Sequence, residues 1–170
     1  MKIGTDPQRL IKYIRQRLDY PVEPGRKEKI QSSTDNWIIR VDMRYKDIRK
    51  ECEELWAKNK YYVLSKSHKA YLEIRTYLRE KEPDVLWVNK KIQEARDMND
   101  SKKDFSNAVL HIWGYFKKEA STMEKRILFD ILNEYMKGEN NREAVIEYLN
   151  TLLKKYPNEY LEQSTFLTGE

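Results

Sequence analysis

Asn107–Lys118 reads Asn-Ala-Val-Leu-His-Ile-Trp-Gly-Tyr-Phe-Lys-Lys. Wound at about 100° per residue, the stretch separates into two unlike faces. Phe105, Val109, Ile112 and Phe116 fall on one side, flanked by Ala108, Trp113 and Tyr115. Asn107, His111, Gly114 and Lys118 gather on the other. A continuous apolar stripe at this spacing is the mark of a helix laid against a core. Gly114 interrupts the polar face. Glycine inside a helix costs about 1 kcal/mol relative to alanine, which leaves two reasons for it: close packing of another helix, or close approach of a ligand backbone.

The flanking sequence repeats the helical pattern. Before Asn107, Ser101 and Asp104 have capping-box-like spacing; after Lys118, Ser121-x-x-Glu124 has it more clearly, so one helix ends near Ala120 and another begins. Ile127, Leu128, Ile131, Leu132 and Tyr135 give the new helix its inner face, with Gly138 as the C-terminal stop. Asn140 or Asn141 caps a further helix through Val145, Leu149, Leu152 and Leu153, closed by Pro157, and Asn158–Leu167 holds a last helical turn or two. Upstream, Ile38, Val41, Tyr45, Ile48, Cys52 and Leu55 step by three and four, predicting a helix over about residues 34–64. Ser67 caps the next, through Arg79, and Pro83 opens another that carries Val85, Leu86, Trp87 and Ile92.

The chain opens on a short basic amphipathic helix over about residues 5–20, with Leu10, Ile11, Ile14 and Leu18 against arginines and lysines, and then a Pro/Gly-containing connector. These patterns predict an all-α protein, a compact bundle of about six or seven mostly antiparallel helices. The expected division is a basic N-terminal helix and connector over residues 1–33 and a helical domain over residues 34–170.

Composition narrows the chemistry. Five glycines and five prolines in 170 residues are too few for a turn-rich β-sandwich. The single cysteine, Cys52, lies in the helical seam and reads as a small core residue; one cysteine supports neither a disulfide framework nor a Cys-based zinc or iron–sulfur site within the chain. No apolar run reaches a membrane span and no signal-peptide stretch opens the chain, so the cytoplasm is the expected compartment and no membrane partner is expected. There is no glycine-rich phosphate loop, no Gly-x-Ser-x-Gly and no His-Glu-x-x-His. His68 and His111 have no ligand partner at helical spacing. No catalytic group, metal site or cofactor is therefore assigned. The net charge of +5 is uneven, from +4 over residues 1–33 (8 basic, 4 acidic) to −3 over residues 121–170 (6 basic, 9 acidic). Such a polarised surface suits a phosphate-bearing partner or plain solvated helix faces. Residues 58–71 add basic side chains interleaved with aromatics, Lys-Asn-Lys-Tyr-Tyr-Val-Leu-Ser-Lys-Ser-His-Lys-Ala-Tyr. Cations neutralise phosphates and tyrosine rings stack on unpaired bases; the same tyrosines read equally well as half-buried core.

Lys60-Tyr61 with Leu64, Ser67 and Tyr71, Asn107-Ala-Val-Leu-His111, Gly114-Tyr-Phe-Lys117, Ser121-x-x-Glu124, Tyr135-x-x-Gly138 and Tyr156-Pro157-x-x-Tyr160-Leu161 together resemble the YbgA-like domain, over about residues 55–167. That domain has no assigned function. It occurs alone or fused behind an iron–sulfur desulfurase domain acting on thiolated uracil bases, where it is thought to contribute RNA binding. The resemblance implies an RNA-binding or accessory domain that works with a separate desulfurase. Lys66 and Phe105 stand where the family usually has histidine, and Asn141–Ile146 replaces a proline-rich segment. A lysine at 66 keeps a positive group but relays no proton at neutral pH.

Taken together, these features point to RNA, tRNA or a thiolated-nucleotide RNA above all. Lys60, Lys66, Arg75, Lys117 and Lys118 are expected at phosphates; Tyr61, Tyr71 and Tyr115 at bases; Asn107 and His111 at a base or ribose, with Ser67 and Gly114 in the same surface. The alternative is a protein-interaction subunit without direct RNA contact. A weaker one is a small-molecule enzyme using His111, which requires a closed pocket around Asn107, His111 and Gly114.

Overall fold

The three-and-four seam forms a single long helix because no proline or glycine interrupts it from Ser33 to Lys66. The computed structural model describes residues 33–80 and 82–169; the basic helix expected over residues 5–20 and the connector after it lie outside the described residues. Val41–Glu170 forms one compact unit. The long helix, α1 (Ser33–Lys66), is followed by α2 (His68–Glu80), α3 (Val85–Arg96), α4 (Lys102–Phe116), α5 (Thr122–Lys137) and α6 (Arg142–Lys155). Two single-turn helices, α7 (Glu159–Glu162) and α8 (Thr165–Thr168), end the chain. No strand occurs among the described residues, and the fold is all-α.

The starts of these helices are set by side chains that satisfy otherwise orphaned amides. Asp84 accepts the Leu86 and Trp87 amides, Ser101 that of Asp104, and Asn141 that of Ala144. Ser121 and Glu124 form a reciprocal capping box at α5. Gly138 closes α5 in the left-handed region at φ 85°, where a Cβ would be strained.

Two apolar clusters fill the interior. The larger one is built on α4, whose Phe105, Ala108, Val109, Ile112, Trp113 and Phe116 are all buried. They pack with Leu128 and Leu132 of α5, Val145, Leu149 and Leu152 of α6, Leu161, Phe166, and Tyr61 and Leu64 of α1. The second joins Cys52 and Val63 of α1 to Ala70, Ile74 and Leu78 of α2 and Val88, Ile92 and Ala95 of α3. The C-terminal part of α1 is therefore covered on more than one side, and Tyr61, Val63, Leu64 and Ser65 are all buried. Among the described residues, no helix is long and apolar enough to cross a membrane.

Candidate functional site

One residue, Ser67, separates α1 from α2, and its hydroxyl accepts the Ala70 amide at 3.2 Å. Arg49 of α1 donates to the Leu78 carbonyl of α2 at 3.1 Å, so the second helix runs back along the first. This hairpin brings Trp56 of α1 against Tyr71 of α2 and Lys60 of α1 within electrostatic reach of Arg75 of α2. The C-terminal segment crosses the same place. Tyr160 Oη donates to the Ala57 carbonyl (3.1 Å), and Thr165 Oγ1 to the Lys58 carbonyl (3.2 Å). From the other side α4 delivers Tyr115.

The result is a knot of phenols around a lysine. Tyr61 Oη donates to Tyr115 Oη at 2.9 Å, with the two rings edge-on and their centres 6.3 Å apart. Tyr160 is edge-on to Tyr61 at 6.5 Å and parallel to Tyr115 at 6.0 Å. Lys60 Nζ lies 4.7 Å from the Tyr61 ring centre and 4.5 Å from that of Tyr160, within reach of a cation–π attraction from both. Trp56 packs against Tyr71 at 5.4 Å, and His68 stacks on the other neighbourhood of Tyr71 at 6.2 Å.

The electrostatics are unusual in sign. Burial first, and then the Arg75 guanidinium, hold the Lys60 ammonium below its ordinary 10.5. Among the described residues neither Lys60 nor Arg75 has an acidic partner. Burial, followed by the Tyr115 hydroxyl, pushes the Tyr61 phenol up; burial and the neighbouring phenols Tyr115 and Tyr71 raise Tyr160 to about 12.

Of the residues picked from sequence, Lys60, Tyr61, Tyr71, Arg75 and Tyr115 come together here. Tyr61 takes a different part from the one expected. It is only 5% exposed, so its ring offers no face to a base, and instead it orients Tyr115. Lys66 stands apart: its Nζ is 2.6 Å from Asp100 and 3.2 Å from the Met98 carbonyl, in a carboxylate shared with Arg142 at 2.7 Å. That charge is already neutralised, and Lys66 ties α1 to the α3–α4 connection. Ser67 is likewise committed, as the cap of α2.

Asn107 is half-buried, while His111 and Gly114 are exposed on α4 and Lys117 and Lys118 are exposed just past its C-terminal end. This face adjoins the cluster through Tyr115, one turn beyond His111. A Cβ built on Gly114 meets nothing within 4 Å, which removes helix packing as the reason for the glycine among the described residues. With His111 exposed and open space over Gly114, the face is not the closed pocket that acid–base catalysis by His111 requires. No group of three or more His, Cys, Asp or Glu side chains placed to hold a metal occurs among the described residues. Sequence reasoning missed Trp56 and Tyr160. Tyr160 stands in the Tyr156-Pro157-x-x-Tyr160 motif, but nothing local shows that it returns to Lys60.

Residues 60–169 match the family described as Protein of unknown function (DUF1722). The chain belongs to this family. The DUF1722 match begins at Lys60 itself and takes in the whole phenol cluster, Arg75 and the α4 face, leaving out Trp56 and the rest of α1. No curated protein and no solved structure matches the chain.

Proposed function

We propose that this DUF1722 chain is an RNA-binding accessory domain, with tRNA as its foremost substrate class. The observation that carries the reading is Lys60 and Arg75, two cations within electrostatic reach of each other with no carboxylate partner among the described residues, Lys60 lying over tyrosine rings. Like charges near each other, one of them half-buried, repel, and an anion between them relieves that repulsion. A phosphate does so, and the half-exposed rings of Tyr71 and Tyr115 beside it accept unpaired bases. Exposed His111 on α4, and Lys117 and Lys118 just past its end, extend the surface toward a neighbouring ribose and phosphate. The finer part of the proposal rests on the resemblance to the YbgA-like domain. It makes the partner a separate iron–sulfur desulfurase acting on thiolated uridine, in the cytoplasm.

Filter binding of total tRNA at two salt concentrations tests this. We expect binding in the micromolar range or tighter that weakens as salt rises. Arg75→Ala should lower affinity and reduce the salt slope by about 1, as the loss of one phosphate contact does. Lys117→Ala and Lys118→Ala should act in the same direction, whereas Lys66→Ala should act on stability instead. Absence of binding at low salt would sink the proposal.

A further inference from the structure

Arg75 belongs to two neighbourhoods. On one side are Lys60 and the phenols; on the other it lines a cavity of about 400 Å³ with Arg49, Glu53, Trp56, Leu78 and Arg79. Glu53, Trp56 and Lys60 are spaced i, i+3 and i+7 on α1, while Tyr71, Arg75 and Arg79 are spaced i, i+4 and i+8 on α2. Each set occupies one helix face. The two faces meet, so cations and rings come together: Lys60 lies over the Tyr61 and Tyr160 rings, Trp56 packs on Tyr71, and Arg75 and Arg79 line the groove beside Trp56. Among the described residues Glu53 is the one acid lining the groove, and Arg49 is 3.6 Å from it. Among the same residues Arg75 and Arg79 therefore leave the groove with a positive excess.

We infer that this groove takes single-stranded RNA, with backbone phosphates at Lys60–Arg75 and at Arg79 and an unstacked base against Trp56. The inference rests on the RNA-binding reading and goes further by choosing the form of the RNA. Trp56 and Tyr71 are half-buried between two helices. A base still held inside a duplex cannot present its face there, whereas a single strand can turn one in. Cations and ring faces brought together in one groove match a strand, in which every phosphate is followed by a base.

Fluorescence titration with a short unstructured RNA oligonucleotide, and with the same sequence annealed to its complement, decides it. The single strand is expected to bind about tenfold more tightly than the duplex and to quench tryptophan emission. Trp56→Phe should keep the affinity and lose that quench; Trp56→Ala should weaken binding about tenfold. Arg79→Ala, on an exposed side chain whose loss leaves folding intact, should weaken it about fivefold and shallow the salt dependence. Duplex bound as tightly as single strand would overturn the inference. So would a poly-glutamate peptide that binds as well as RNA, since carboxylates have no face to stack. The total-tRNA assay separates the failures: tRNA bound without single-strand preference leaves the RNA-binding reading standing, and no tRNA bound at low salt removes both.

Discussion

Lys60 is held where a lysine gains little by folding. Its ammonium is partly desolvated and faces Arg75, and what compensates is the attraction of two phenol rings at 4.5 and 4.7 Å. Each ring contributes about 0.5–1 kcal/mol, while burial and the neighbouring guanidinium act in the opposite direction. A side chain set between opposing effects in the free protein is a poor structural device and a good ligand contact, because sites kept for binding are seldom optimised for stability. Lys60→Met preserves the length and packing of the stem. It should leave the unfolding free energy within about 1 kcal/mol of the parent while weakening RNA binding about tenfold. Thermal denaturation followed by circular dichroism, with filter binding on the same preparation, reads both. A large drop in stability with binding unchanged would assign Lys60 to the core instead. Lys66, only six residues on, teaches the contrast. Both are lysines on α1, yet pairing with Asp100, 34 residues away, commits Lys66 to the fold, and nothing in the local sequence separates the two.

Helices α5 and α6 are joined at one carboxylate. Glu124 accepts from the Ser121 amide at 2.8 Å, the Ser121 hydroxyl at 2.8 Å, Lys155 Nζ at 2.7 Å and Tyr156 Oη at 3.0 Å. Lys155 chiefly, then Ser121, holds its carboxyl at about 2, well below the ordinary 4.5. A carboxyl whose value falls on folding stabilises the protein fully above 4.5, and that contribution is lost as pH falls toward 2. Glu124→Gln should therefore lower the melting temperature near neutral pH. The gap from the parent should close as pH drops from about 4.5 to about 2. Melting curves across that range check it, and a gap that stays constant would mean that the amide's poorer hydrogen bonding, not charge, is responsible. At this scale the sequence was highly legible. The caps at Ser101, Ser121 and Asn141, the stop at Gly138 and the apolar face of α4 are local patterns, and the helices follow them. The site was legible only in part. Tyr160 Oη meets the Ala57 carbonyl across 103 residues of chain, and no helical period carries such a contact. Tyr61 was misplaced for a related reason: periodicity assigns a helix one buried face, whereas α1 is covered by two cores.

Across the whole unit, α1 is the member shared by both cores, giving Tyr61 and Leu64 to one and Cys52 and Val63 to the other. The family match starts at residue 60, well inside this helix. A fragment trimmed to the matched residues 60–169 would lose Cys52, Leu55 and Trp56, which cover Ile74, Leu78 and Ile92. At about 1–2 kcal/mol for each covered side chain, the deficit is a large share of the 5–15 kcal/mol that holds an ordinary domain together. We expect residues 41–170 to unfold in a single cooperative transition, and residues 60–169 to lose much of their helical signal or to aggregate. Circular dichroism and size-exclusion chromatography distinguish these outcomes, and a stable, cooperative 60–169 fragment would show that the second core is dispensable.

The crowding of Tyr61, Tyr115 and Tyr160 also gives the protein an optical label of its own. In an alkaline titration followed by tyrosinate absorbance, Tyr160 is due near 12 and Tyr61 is held back by burial and by its bond to Tyr115. An occupant lying over the cluster would delay the Tyr160 step further. One that lifted α4 away from α1 would bring Tyr61 forward, so the absorbance change distinguishes a ligand that covers this surface from one that pries it open.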